Sequence, residues 1–262
     1  MYLWKNKELW EISSSHDSIS DLFQGKGVFE TILVTKNATL FLWDRHIQRL
    51  KQGIQFLGKK VDINFVALHD ALIDHFQSNP SKTLLRLNLT YLPQQDHLMV
   101  RFFPYDLPEK PAKLYLTDRY VRGNSPHYQY KTLSRMENIF FQNLAQDNKC
   151  DDFLIISHDF NVLETSLANI FFVRNDSTIE TPTIHNMPLL NGVLRQFLID
   201  TQQQLAIQCI EKTISIGNIS IYNQAFITNG LRIVQPVSQI GQWQFLETDI
   251  GWSLRDSILD SI

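Results

Sequence analysis

Pro104-Tyr105-Asp106-Leu107-Pro108-Glu109-Lys110-Pro111 places three prolines in eight residues. Each proline removes an amide donor and fixes φ, so the stretch cannot continue a helix or run through a central strand. It reads as a linker over 105–111 between a small N-terminal α+β domain, 1–104, and a larger C-terminal domain, 112–262. The 262 residues are enough for two cores of about 100 to 150 residues each.

Upstream of the linker, β-branched and aromatic runs at 28–34 and 39–43 flank a polar Lys36-Asn37 turn, which predicts a hairpin. A helix follows, with Asp44 as its cap and Ile47, Leu50, Ile54 and Leu57 as one apolar stripe. A second helix near 63–76 and strands near 84–90 and 97–103 complete that half. Downstream, a strand at 113–117 and a polar loop at 122–130 precede a helix opened by a Ser134/Glu137 capping box, with Ile139, Phe140, Phe141 and Leu144 on its apolar side. Strands at 153–156, 168–173 and around Ile179, then a helix from Val193, make the fold class α/β in the mixed α+β sense.

Composition excludes more than it selects. With 44% hydrophobic and 19% charged residues the chain is ordinary globular protein. Its formal charge of -3 offers no basic field for nucleic acid or anionic lipid, so a small molecule is the expected partner. No run of about 18 apolar residues occurs and the first residues lack a signal-peptide pattern, which predicts a cytoplasmic protein without a membrane span. Cys150 and Cys209 form no CxxC pair, and the eight histidines include no HExxH, so no metal site is expected. The turn at Gly25-Lys26-Gly27 lacks the third glycine of a dinucleotide fingerprint, and GxSxG is absent.

Several residues could carry chemistry. Leu190-Asn191-Gly192-Val193-Leu194-Arg195 offers Asn191 as a helix cap and, behind it, free amides at the positive end of a helix dipole, which is an anion site in outline. Thr228-Asn229-Gly230 is a second glycine turn between apolar segments. Arg49 lies off the apolar stripe of its helix, where a guanidinium can grip a phosphate through paired donors. Lys131 stands in a loop just before a helix, and Glu164 ends a strand 33 residues later. Taken alone, each has a plainer default: a capped helix binding only water at 190–195, a hairpin turn at 228–230, and solvated charges at Arg49, Lys131 and Glu164.

In order along the chain, Gly25 to Thr31, His46-Ile47-Gln48-Arg49-Leu50, Lys131-Thr132-Leu133, Glu164 to Phe171, Leu190 to Arg195, and Thr228-Asn229-Gly230 with Pro236-Val237 resemble the class IV aminotransferase family, the fold-type IV pyridoxal-phosphate enzymes. That resemblance implies two domains with the cofactor in the interdomain cleft, and a homodimer. It implies that Lys131 forms the Schiff base and that Glu164 faces the pyridine nitrogen. It also implies that Arg49, the amides of Val193 and Leu194 and the Gly230 turn hold the phosphate. The substrate would be an amine or amino acid.

Phe29-Glu30-Thr31, the run Lys131 to Glu137 and the run Asn191 to Phe197 are most similar to the lyase branch of the family. Its members convert 4-amino-4-deoxychorismate to 4-aminobenzoate and pyruvate for folate biosynthesis. The alternative is an aminotransferase acting on D-amino or branched-chain amino acids. Arg122 and Arg135 become candidates for substrate carboxylates and Thr31 for the pocket wall. The chain departs from the family pattern at Ile19-Ser20-Asp21, where Asp-Arg-Gly is usual, at Lys26, at Ser134, and at Gly230, which lacks the hydroxyl often found there.

Overall fold

The computed structural model describes residues 2–5, 8–11, 24–94 and 96–261, so the Ile19-Ser20-Asp21 departure lies outside the described residues. The chain divides into two compact units, one formed by the residues up to 107 together with 130–135 and the other by 108–129 and 136–261. The mixed α/β class expected from the sequence is the one observed.

The first unit is an antiparallel sheet of β1 (Tyr2–Lys5), β2 (Glu8–Glu11), β3 (Val28–Val34), β4 (Leu84–Leu92) and β5 (His97–Tyr105), in the order β2-β1-β5-β4-β3. Two helices, α1 (Trp43–Phe56) and α2 (Phe65–Ser78), supply the rest of its core. The strand period of two puts Val28, Ile32 and Val34 of β3 into that core. Ile47, Leu50 and Ile54 of α1 meet Leu68 and Leu72 of α2 there, as the 3 and 4 spacing predicts. Two local expectations fail. The 39–43 strand shrinks to a single bridge, Val34 to Leu40. Helix α1 starts after Leu42 in the left-handed region, at φ 53, so Asp44 lies inside the first turn and favours the dipole without capping it. Pro104 is part of β5, opposite Leu85. It is tolerated because β1 pairs with β5 only at 98–100, leaving the far end of β5 an edge.

Residues 131–133 join this unit by strand-like pairing. The Phe29 amide donates to the Lys131 carbonyl at 2.9 Å and the Leu133 amide to the Gly27 carbonyl at 2.9 Å. Gly27, at φ 143, is required: a Cβ there would lie 2.6 Å from the Tyr91 carbonyl oxygen and 2.7 Å from Leu133 Cδ1.

The second unit is a nine-stranded sheet: β6 (Ala112–Tyr115), β7 (Asp152–Ile156), β8 (Val162–Thr165), β9 (Asn169–Val173), β10 (Ile179–Pro182), β11 (Cys209–Lys212), β12 (Gln224–Asn229), β13 (Ile233–Ile240) and β14 (Trp243–Gln244). Its path runs β11-β10-β9-β12-β13-β6-β7-β8, with β14 on β13. Every residue of β7 and β9 is buried, so after their polar first residues, Asp152 and Asn169, both strands read as continuous apolar runs rather than alternating ones. Helices α3 (Met136–Asp147), α4 (Val193–Asp200) and α5 (Asp249–Leu259) accompany the sheet. Of the apolar side expected for α3, Phe141 is buried while Ile139 and Phe140 are exposed. Its capping box does not form as expected, because the Glu137 carboxylate turns to Arg122 and Tyr128. No helix among the described residues is long and apolar enough to cross a membrane.

Candidate active site

In the first unit the side chain of Lys131 lies over the ring of Phe29, with Nζ 4.6 Å from its centroid, and the Arg135 guanidinium is 5.4 Å from the same centroid. On the opposite, core-facing side of β3, Glu30 is fully buried. It accepts two hydrogen bonds from Arg49, Nε to Oε1 at 2.7 Å and Nη2 to Oε2 at 2.6 Å, and a third from His46 Nδ1 at 2.7 Å. His46 and Arg49 are one turn apart on α1, so a single helix face supplies both partners. Arg49 is thereby fixed with Nη1 unpartnered among the described residues.

Burial alone would raise the Glu30 carboxyl, but Arg49 and His46 outweigh it and bring the group down to about 2. Burial also lowers the His46 imidazole, against the pull of Glu30. With Glu30 ionised, the His46 proton sits on Nδ1, and Nε2 is left as a buried acceptor without a partner. Glu30 titrates near 4.5 when exposed and near 2 when folded. Its charge therefore contributes stability above pH 4.5, which is lost as the pH falls toward 2, roughly 3 kcal/mol over the full window. Denaturant melts at pH 5 and pH 3 should show the wild type losing more stability than Glu30→Gln over that interval. Equal losses would mean that Glu30 does not contribute this way.

The second unit centres on Glu164, at the end of β8 and almost wholly buried. Arg122 Nη1 donates to Oε1 at 2.6 Å, while the Leu190 amide, at 3.2 Å, and Asn169 Nδ2, at 3.4 Å, donate to Oε2. Both oxygens are thus oriented by donors. Arg122 also reaches Glu137, from Nε at 2.9 Å, and the Pro188 carbonyl at 3.0 Å, and stacks over Tyr128 at 4.3 Å. Burial would lower the Arg122 guanidinium, but Glu164 and Glu137 prevail and raise it. The expectation that Arg122 clamps a substrate carboxylate is corrected here: its side chain is 1% exposed and its donors are committed to two glutamates and a carbonyl.

Asn169 ties this carboxylate to the start of α4, donating to the Leu190 carbonyl at 2.7 Å. A Cβ on Gly192 would lie 2.0 Å from Asn169 Oδ1, so only glycine fits there. Gly192 is the N-cap and no side chain caps the helix. Asn191 is not the cap because its Oδ1 accepts from Arg195 Nη1 at 3.0 Å. The first amides of α4, at Val193 and Leu194, are therefore unclaimed by side chains in a buried segment, which suits a bound anion. The β12–β13 turn carries Gly230. Asn229 Oδ1 accepts from the amides of Leu231 and Arg232, both at 2.9 Å, and the nearby Thr228 hydroxyl is buried without a partner.

Sequence reasoning quoted Glu30, His46 and Asn169 without giving them work. A polar residue at a core-facing strand position, with His and Arg three apart on the next helix, was the signal for the first pair. Asp152 was missed altogether: buried in β7, it accepts from the Thr165 hydroxyl at 2.8 Å, from the Ser166 amide at 3.1 Å and from the Ser166 hydroxyl. It shapes the turn that leads from Glu164 to Asn169.

A family model described as amino-transferase class IV matches residues 27–240. The chain is 25% identical over 258 residues to a "Probable branched-chain-amino-acid aminotransferase" of Rickettsia typhi, covering 91% of this chain and 87% of that protein. It is 22% identical over 235 residues to a "D-alanine aminotransferase" of Listeria innocua, covering 82% and 78%. A solved structure from Legionella pneumophila, "Putative 4-amino-4-deoxychorismate lyase", superposes with a TM-score of 0.84 at 26% identity, covering 96% of each chain.

Proposed function

The chain belongs to the class IV aminotransferase family, whose enzymes use pyridoxal phosphate, and from that premise we propose that it splits 4-amino-4-deoxychorismate into 4-aminobenzoate and pyruvate. The residues fit the cofactor. The uncapped start of α4 and the unpartnered buried hydroxyl of Thr228 are what a phosphate would satisfy. In this reading Lys131 takes the aldehyde, Glu164 the ring nitrogen, and Arg49, the amides of Val193 and Leu194 and the Gly230 turn the phosphate. When bound, the cofactor supplies an electron sink for charge at the aminated substrate carbon.

The observation that carries the reading is the pinned carboxylate of Glu164. Held by Arg122, Leu190 and Asn169, it presents fixed negative charge that keeps a proton on the ring nitrogen. The Lys131 amine, once released, takes the proton from the substrate carbon and can deliver one to the departing group, work that contributes about 10² to 10⁴ in rate. Arg135 is the candidate for a substrate carboxylate, and a second copy of the chain is the expected partner.

The likeness to the Legionella protein favours the lyase. The Rickettsia and Listeria relatives favour the second reading, an aminotransferase for branched-chain or D-amino acids. The purified holoenzyme, given 4-amino-4-deoxychorismate alone, should release pyruvate and 4-aminobenzoate one for one. If pyruvate appears only after a 2-oxo acid is added, or only amino acids are consumed, the aminotransferase reading replaces the lyase.

A further inference from the structure

The face of β3 opposite the core carries Phe29, Thr31 and Leu33, and strand pairing extends it across the sheet. Thr31 lies opposite Asn88 of β4 and Asn88 opposite Arg101 of β5, while Arg86 lies opposite Leu33 and diagonal to Arg101. Asn88 is 3% exposed and fixed at both ends, accepting from Arg86 Nε at 2.9 Å and donating from Nδ2 to the Thr31 hydroxyl at 3.0 Å. The Arg86 guanidinium is therefore held by one edge, with its two terminal nitrogens left over. Neither arginine has an ion-pair partner among the described residues. Partial desolvation and the charge of Arg101 both lower the Arg86 guanidinium, with Tyr105 as the opposing influence. Like charges brought together across strands destabilise a sheet, and an anion between them reverses the sign.

We propose that Arg86 and Arg101, oriented by Asn88 and Thr31, form a two-cation subsite for a substrate carboxylate remote from the reacting carbon, which selects dicarboxylate substrates over apolar monocarboxylates. The placement relative to the reactive amine supports it. Lys131 Nζ lies over Phe29, which shares this face with Thr31. One step of two residues along β3 and two strand spacings across put the Arg101 backbone roughly 12 Å from that of Phe29, and two such steps and one spacing put that of Arg86 roughly 14 Å away. The Arg86 side chain leans back toward Asn88, and so toward the amine, which leaves room for a substrate with a remote carboxylate, such as the ring carboxylate of 4-amino-4-deoxychorismate, and sets a branched aliphatic chain against unpaired charge. The inference rests on the assignment of Lys131 as the reacting amine.

The test uses the holoenzyme and two amine-free probes of equal length, glutarate and pentanoate, followed by titration calorimetry. Glutarate should bind about ten-fold or more tightly than pentanoate. Arg86→Gln and Arg101→Gln should each weaken glutarate about ten-fold or more and change pentanoate less than two-fold. Arg101→Lys, which keeps the charge and loses the fork, should retain part of the preference. With a dicarboxylate substrate the glutamine variants should raise KM and leave kcat within about three-fold. The proposal fails if both probes weaken alike, if sulfate competes with equal affinity through the same arginines, or if kcat falls for every substrate. A holoenzyme whose residue-131 peptide gains no pyridoxyl mass on borohydride reduction would instead fail the cofactor reading, and the glutarate preference would still report on the arginines.

Discussion

Lys131→Met is expected to leave a folded protein that still takes up pyridoxal phosphate but turns substrate over 10² to 10⁴ times more slowly or worse, proton transfer alone accounting for about that factor. The fold should survive because the contacts that place the residue are made by its backbone: the Phe29 amide donates to the Lys131 carbonyl, and the pairing continues from Leu133 to Gly27. Methionine keeps the unbranched stem over the Phe29 ring. The melting temperature should stay within a few degrees of wild type, and cofactor should remain bound by its phosphate contacts and Glu164. Borohydride should then add pyridoxyl mass to the wild-type peptide containing residue 131 and to no peptide of the variant. A variant with more than a tenth of wild-type turnover would remove Lys131 from the chemistry.

How much of this could be read before the structure depended on the range of the interaction. Proline's covalent geometry is local, so the stretch from Pro104 to Pro111 reads as a linker from sequence alone, although its first two residues, Pro104 and Tyr105, belong to β5. The stripe Ile47, Leu50, Ile54 is repetitive, so α1 was visible apart from its first turn. Strand β8 was expected only as the strand that Glu164 ends, without a starting point, since Val162–Thr165 is four buried residues with no alternation to mark its bounds. The Asn191 cap and the Ser134/Glu137 box failed for one reason. Each side chain had a stronger charged partner distant in sequence or on the next turn, Arg195 for Asn191 and Arg122 for Glu137. The pairing of 131–133 with 27–29 spans about a hundred residues and hinges on the missing side chain of Gly27, which no window of sequence exposes. Lys131, Glu164 and the start of α4 were legible only as an ordered set.

Arg122→Met is the substitution expected to cost the most stability, because it leaves two carboxylates facing each other without their cation. Glu164 is nearly buried and Glu137 about a quarter exposed, and both accept from the one guanidinium. Stranding a buried charge costs about 3 to 5 kcal/mol. The lower end applies here, since Glu164 keeps the Leu190 amide and Asn169, and Glu137 keeps the Tyr128 hydroxyl and some water. At about 2 to 4 °C per kcal/mol for a chain of this size, the melting temperature should fall by roughly 6 to 12 °C. The second consequence is chemical. Glu164 loses the donor that orients Oε1, so the carboxylate is no longer fixed for the ring nitrogen and turnover drops beyond what the lost stability explains at low temperature. Arg122→Lys restores one charge without the fork and should fall between the two. Adding Glu137→Gln to Arg122→Met removes one of the stranded carboxylates and should recover part of the stability, whereas Glu137→Gln in wild type should lose some. That opposite sign is the signature of a cation whose work is to hold Glu164. If the two substitutions simply add, or if Arg122→Met melts within 2 °C of wild type, Arg122 is not the counterion that sets the carboxylate.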